Sequence, residues 1–244
     1  MMNEAVITLD HVSASEGNQV RVDDFNLTVR RGEAVALVGS SLSGKGVALR
    51  LCAGLEAPES GSVRILGVNP AAASEEEMLH LRRRVGFAFS KPALLSALNV
   101  FDNVAFPLRY HAVFPEAAIH DRVMARLAEC GVEGLRDRFP AGLAMGDARL
   151  VAMARAMALD AEILCVDEAL FGMDADELVR FGKIVENYRK QRTVTIVATF
   201  SAPTGLFAMM DRLVLIRNGR IVVDCPPAQA SRVDDPMVRI FVTT

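Results

Sequence analysis

The amino-acid sequence predicts an α/β fold built from two sheets, with a helical subdomain inserted between strands. Three observations carry that prediction. Residues 5–38 place their apolar residues in strand-like runs, AVITL, QVRVDDFNLTV and EAVALVG. The first two alternate, which suits a sheet with one wet face; the third is almost continuously apolar, which suits a strand covered on both faces. From Pro92 to about Leu159 there are helical segments and no convincing strand, and sheet-like runs resume beyond residue 160.

The elements follow in order. After the third run comes a glycine loop at 39–46, GSSLSGKG, and then VALRLCAGL with helical spacing. APESGSVRILG supplies a Pro, Ser and Gly turn before a short strand. SEEEMLHLRRR labels both ends of a helix: Ser74 and Glu77 have the spacing of a capping box, acids fill the first turn, and Arg82, Arg83 and Arg84 fill the last. Its charge run reads as a solvated face. VGFAFS reads as a buried strand, and AAIHDRVMARLAECGV and DARLVAMARAMAL as helices of the insertion. EILCVDEAL and TVTIVATF are strands on either side of a helix over ADELVRFGKIVENYRK. A short helix is expected near PTGLFAMM, and RLVLIRNGRIVVDC is a hairpin whose Asn218-Gly219 pair suits a type I′ turn.

Composition narrows the function. With 244 residues, the chain is long enough for one large domain or a domain with an insertion. A net charge of −3 offers no basic field for a phosphate backbone, and the lack of Trp removes base-stacking platforms, so no nucleic-acid partner is expected. Cys52, Cys130, Cys165 and Cys225 have no paired spacing and read mostly as core residues. No apolar run approaches the roughly 18 residues of a spanning helix, and MMNEAVITLDHV lacks the regions of a secretory signal; the expectation is a cytoplasmic protein.

Two stretches carry chemistry. A loop of the form GxxxxGK aims backbone N–H groups at an anion and opens a helix whose positive end faces the same point. Gly39, Gly44 and Lys45 keep that frame, with Ser40, Ser41 and Ser43 between them and Gly46 after. A glycine-rich turn with a surface lysine is the plainer alternative. ILCVDEA then puts Asp167 and Glu168 at the end of an apolar strand, where adjacent carboxylates are costly unless they face a cleft, a cation or water. Beside a phosphate loop, the first acid would hold magnesium through water and the second would polarise an attacking water. Alone, the pair would simply cap the next turn.

GSSLSGKG, VGFAFS, FPAGLAMGDARLVAMARAMALDAEILCVDEALFGMD and TVTIVATFS, in that order, resemble the motifs of ABC transporter ATPases across essentially the whole chain. NVFDNVAFPLRYH and DDPMVRIF resemble the ATPases of MCE/Mla-type phospholipid transporters. The resemblance implies a P-loop NTPase core with an antiparallel β subdomain and an inserted helical subdomain. In this single domain, 1–90 and 160–244 would form the core and β subdomain, and about 91–159 the helical subdomain. It also implies ATP and magnesium as ligands, a second ATPase subunit of like or unlike chain, an integral-membrane permease, and a peripheral place on the cytoplasmic face of the inner membrane.

Against the family pattern several positions have changed. Leu42 replaces a loop glycine, and Gly46 replaces the Ser or Thr whose hydroxyl reaches magnesium. The family glutamine after VGFAF is Ser90, shorter by roughly 2–3 Å and able to act as a metal ligand only through water. The signature loop LSGGQ is LAMGD, Leu143, Ala144, Met145, Gly146 and Asp147: its hydroxyl is gone, a side chain stands where backbone must approach, and a carboxylate enters a phosphate-binding helix end. As structure, Asp147 reads as a good N-cap. The switch histidine is expected at Phe200, and the base-stacking aromatic is missing from residues 14–18. Glu168, at the general-base position, and Asp174 of the D-loop are retained.

The leading expectation is thus a nucleotide-binding subunit of a lipid-transport system whose own ATP hydrolysis is weak or absent, with a structural or regulatory role under a permease. Two rivals stand beside it: an active ATPase with Ser41, Ser43 or Ser90 as substitute magnesium ligands, and a scaffold that takes no nucleotide. Permease docking is expected between Ser90 and the helices starting near Asn99, with Phe101, Val104 and Phe106 as candidates that are equally suited to the core.

Overall fold

The computed structural model describes residues 4–17, 19–112, 114–168, 175–203, 207 and 209–242. The chain opens with β1 (Ala5–Glu16), β2 (Gln19–Arg30) and β3 (Ala34–Val38), and α1 (Lys45–Cys52) follows the glycine loop. β4 (Ser60–Ile65), α2 (Glu75–Arg84) and β5 (Val85–Ala88) precede three helices, α3 (Val100–Tyr110), α4 (Glu116–Glu129) and α5 (Met145–Met157). Then come β6 (Ile163–Asp167), α6 (Ala175–Gln191), β7 (Thr195–Phe200), β8 (Arg212–Arg217), β9 (Arg220–Cys225), α7 (Pro227–Ala230) and α8 (Pro236–Val242). Among the described residues between β5 and β6 there is no strand.

Two sheets result. One is antiparallel, in the order β2-β1-β4; the other has the order β5-β6-β7-β3-β8-β9 and is parallel except for its β8–β9 hairpin. β3 shows why its run is continuously apolar. Ala34, Ala36 and Val38 enter one core with the helices of the insertion, whereas Val35 and Leu37 enter another with α1 and the antiparallel sheet. A strand buried on both faces needs apolar residues at both parities. β1 and β2 run longer than their apolar stretches because the ladder continues through a register shift between Leu9 and Val12.

Local signals are realised where their partners are close in sequence. The Ser74 hydroxyl accepts from the Glu77 N–H at 3.2 Å, and the Ser74 N–H donates to the Glu77 carboxylate at 2.8 Å. Asn218 and Gly219 both have positive φ, 50° and 77°, as the hairpin turn requires. Most of the helix expected at PTGLFAMM lies outside the described residues, as does Asp174. One expectation is corrected: Asp147 is not the N-cap of α5. The helix starts at Met145 with Ala144 as its cap, which makes no side-chain cap bond, so Asp147 sits inside the first turn. There it favours the helix dipole and opposes an arriving anion.

Candidate functional site

The glycine loop joins the end of β3 to α1. Gly44 is the N-cap of α1 with φ 107°, and a Cβ there would lie 2.1 Å from the Arg21 carbonyl oxygen, so the loop closes only on glycine. β2 and the hairpin tip brace it: the Gly219 N–H donates to the Ser43 carbonyl at 2.9 Å, and the Asp23 N–H to the Gly219 carbonyl at 3.0 Å. Leu42 adopts φ 67° and is 76% exposed. Leucine holds that left-handed geometry at a greater cost than glycine would. Gly46, the second residue of α1, has room for a side chain: an added Cβ would meet only Arg50 Nη1, at 3.5 Å.

Lys45 is 4% exposed. Its ammonium donates to the Ser40 carbonyl at 2.8 Å and lies 3.4 Å from Glu168 Oε1. Burial lowers its pKa, against the Glu168 and Asp167 charges that work to raise it. Glu168 is held further: its N–H donates to the Thr199 hydroxyl at 2.9 Å, which in turn donates to Asp167 Oδ1 at 2.8 Å. The Ser201 hydroxyl donates to Glu168 Oε1. Ser40, Lys45, Glu168 and Ser201 therefore form a continuous polar chain at the mouth of the loop.

Phe200, where the switch histidine is expected, stands apart from this chain of contacts. Phe200 lies in the core with the helices of the insertion, its ring 4.9 Å from Phe207, and does not face the loop. β7 alternates: Ile196, Ala198 and Phe200 face the insertion side, while Val197 packs with α1 and Thr199 reaches Asp167. The side chain that touches Glu168 from this strand end is Ser201. Sequence reading missed Thr199 and Ser201, although the period-two alternation counted from Val197 points to both.

Other candidates are scattered. Ser90 follows β5, the edge strand, and residues 143–147 open α5; among the described residues no hydrogen bond or ion pair joins either to the glycine loop. Met145 is exposed, and a Cβ at Gly146 would lie 1.8 Å from Glu177 Oε1 on α6, so a side chain there would push that flexible carboxylate aside. Where a stacking aromatic was missed, Ser15 bonds Glu59 at 3.1 Å and Glu16 pairs with Arg50 at 3.1 Å.

The residues fit a phosphate group better than a magnesium ion. The buried Ser43 hydroxyl has no hydrogen-bond partner among the described residues, α1 presents its N-terminus, and Lys45 supplies a charge. For magnesium the site offers Asp167, whose Oδ1 is already engaged, and no side chain at position 46.

A second surface lies between β5 and α3, a groove of 330 Å³ lined by Phe87, Phe89, Leu95 and Phe106 together with Arg82 and Arg83. Of the three docking candidates only Phe106 lines it. Val104 is fully buried, and Phe101 packs partly buried against the core.

Comparison with known proteins agrees with this architecture. A family model described as ABC transporter matches residues 22–171. The intermembrane phospholipid transport system ATP-binding protein MlaF of Escherichia coli (strain K12) is 32% identical over 237 residues, covering 97% of this chain and 88% of that protein. The methionine import ATP-binding protein MetN 1 of Rhodopseudomonas palustris is 35% identical over 86% of this chain and 56% of its own length. Among solved structures, a dimeric ATP-binding cassette in a post-hydrolysis state bound to ADP and Pi matches with a TM-score of 0.83 at 22% identity, covering 90% of this chain and 98% of that one, a likeness of fold. With the motifs in order, the two sheets in place and that extent of identity to MlaF, the chain belongs to the ABC transporter family of ATP-binding proteins.

Proposed function

We propose that this protein is the ATP-binding subunit of an ABC transporter for phospholipid, with weak or absent ATP hydrolysis of its own, acting as a structural or regulatory partner beneath a permease. The lipid assignment is supported by 32% identity to MlaF over nearly the whole chain. Residues 39–46 and Lys45 hold the nucleotide phosphates, Asp167 and Glu168 face them, and a second ATPase subunit completes the dimer at the inner membrane. No helix among the described residues is long and apolar enough to cross a membrane.

The observation that carries the weak-hydrolysis reading is Gly46: a hydrogen stands where a hydroxyl would reach the cation, although the space for one is free. Purified protein is expected to bind ATP with little dependence on magnesium and to release phosphate barely above background. Gly46→Ser is expected to make ATP binding magnesium-dependent, with roughly tenfold tighter binding when the ion is present. Phosphate release by the unaltered chain at rates of about 1 s⁻¹ or more would overturn the reading.

A second reading has one observation in its favour. The unpartnered Ser43 hydroxyl is a substitute metal ligand for an active enzyme, in which case Ser43→Ala abolishes magnesium-dependent turnover that the unaltered chain displays.

A further inference from the structure

Resting on the reading that residues 39–46 hold the phosphates of a nucleotide, we propose that Glu16 and Arg21 read its base by hydrogen bonding, so that the site prefers guanosine triphosphate to adenosine triphosphate. Both residues flank the loop. The Arg21 carbonyl is the group that confines Gly44 to glycine, and Glu16 pairs with Arg50 of α1, whose Nη1 would lie 3.5 Å from a Cβ on Gly46. Arg50 lies about 7.5 Å along the helix from Lys45, a span that a ribose and base can bridge from phosphates at the helix start.

An irregularity in the sheet puts Arg21 there. In the β1–β2 ladder Ala14 pairs with Val22 and Ser15 with Val20, so Arg21 is the extra residue of β2 at a register shift. Bulges of this kind re-aim a side chain. The Arg21 side chain is 16% exposed, and its Nε is buried with no hydrogen-bond partner among the described residues, although the Glu16 carboxylate stands 3.4 Å away as a charge. A buried donor without an acceptor calls for one. Glu16, at the end of β1, is 54% exposed and loosely held: Arg50 Nη2 donates to its Oε1 at 3.1 Å, but Nε of the same guanidinium donates to Glu56 at 2.8 Å. Arg50 can therefore release Glu16 and keep an ion pair.

Together the two side chains present a pair of acceptor oxygens beside one donor. Guanine's Watson–Crick edge is the complement, with N2–H and N1–H for the carboxylate and O6 for the Arg21 donor. Adenine offers the carboxylate only its N6–H group and sets the N1 lone pair against the second oxygen. Cytosine and uracil each offer one donor group. An aromatic platform would be indifferent, since every base has a π-face, and residues 14–18 hold no aromatic residue. A charged acceptor discriminates where a ring does not. Because Glu16 is half exposed, water competes for it, and the preference is about tenfold rather than the far larger ratio of a dry site.

The test is competition for the full-length chain, without added magnesium, between GTP labelled on its ribose with a fluorophore and unlabelled GTP, ATP, inosine triphosphate or inorganic tripolyphosphate. GTP is expected to bind about tenfold more tightly than ATP, with inosine triphosphate, which lacks the N2 amine, in between. Glu16→Gln presents one acceptor and one donor, which suits N6–H and N1 of adenine; it is expected to bring GTP down to ATP or below while leaving tripolyphosphate unchanged. Glu16→Tyr should bind the two bases alike. ATP binding as tightly as GTP to the unaltered chain, or a GTP preference that survives Glu16→Gln, overturns the reading of the base and leaves the phosphate loop standing. If neither the labelled nucleotide nor tripolyphosphate binds, both readings fall.

Discussion

Leu42 and Gly46 stand four residues apart and have departed from the family pattern in opposite senses. Leu42 carries a side chain in left-handed backbone, where a non-glycine residue costs about 1–2 kcal/mol; Gly46 carries none where there is space for one. Both changes leave the loop's path intact, because that path is set by Gly44 beneath the Arg21 carbonyl and by the Gly219 bond to Ser43. Residues 200 and 201 show the same separation of roles across a strand face. Phe200→His buries an imidazole among Phe207, Phe241 and the insertion core, and is expected to cost on the order of 3–5 kcal/mol. Ser201→His faces the loop, and its cost should stay within about 1 kcal/mol. Thermal melts of the two variants check this, and a larger loss at 201 than at 200 would reverse the assignment.

At the scale of elements, local rules carried over well wherever the partners are near in sequence. The capping box of α2 is one case, and Ser74→Ala is expected to lower stability by about 1 kcal/mol in chemical denaturation without touching nucleotide binding. β3 is another, since a strand covered on both faces has no wet side to hold polar residues. The start of α5 is a counterexample. Asp147 is a favoured capping type, yet the cap falls three residues earlier, on Ala144, and the carboxylate is left in the first turn. The Thr199–Asp167 bond and the Ser201–Glu168 contact were hidden in the sequence for a related reason: they join strands about thirty residues apart, and only the parallel register of β6 with β7 makes them neighbours.

Across the whole molecule, the helical insertion is tied to the core by a charge hub at Asp160. Arg122 and Arg126 of α4 bond its carboxylate at 2.7 and 2.5 Å, Arg192 approaches at 3.1 Å, and Tyr188 lies under Arg192 at 4.4 Å. Burial works to raise the Asp160 pKa, but the Arg122 hydrogen bond and the Arg126 and Arg192 charges outweigh it and hold the pKa below the usual carboxylate range. The hub thus adds stability above the unfolded-state pKa, near 4, and loses it as pH falls through the lowered folded value. Asp160 is 37% exposed, so after discount for solvent screening Asp160→Asn is expected to cost on the order of 1–2 kcal/mol at pH 7. The gap from the unaltered chain should narrow progressively as pH falls below about 4 in urea melts; a gap that does not narrow at all on acidification would show that lost packing rather than charge is responsible.

What the sequence determined by itself was everything that depends on order and short spacing: the two kinds of strand, the capped helix, the glycine loop before α1, and the family, because those signals are written within a few residues of one another. The tertiary structure alone decided which side chains meet at the loop. Lys45 reaches Glu168, Thr199 bridges to Asp167, and Ser201 rather than Phe200 faces the site, because the twist and register of parallel strands choose a face for every residue and leave only one parity pointing at the nucleotide loop.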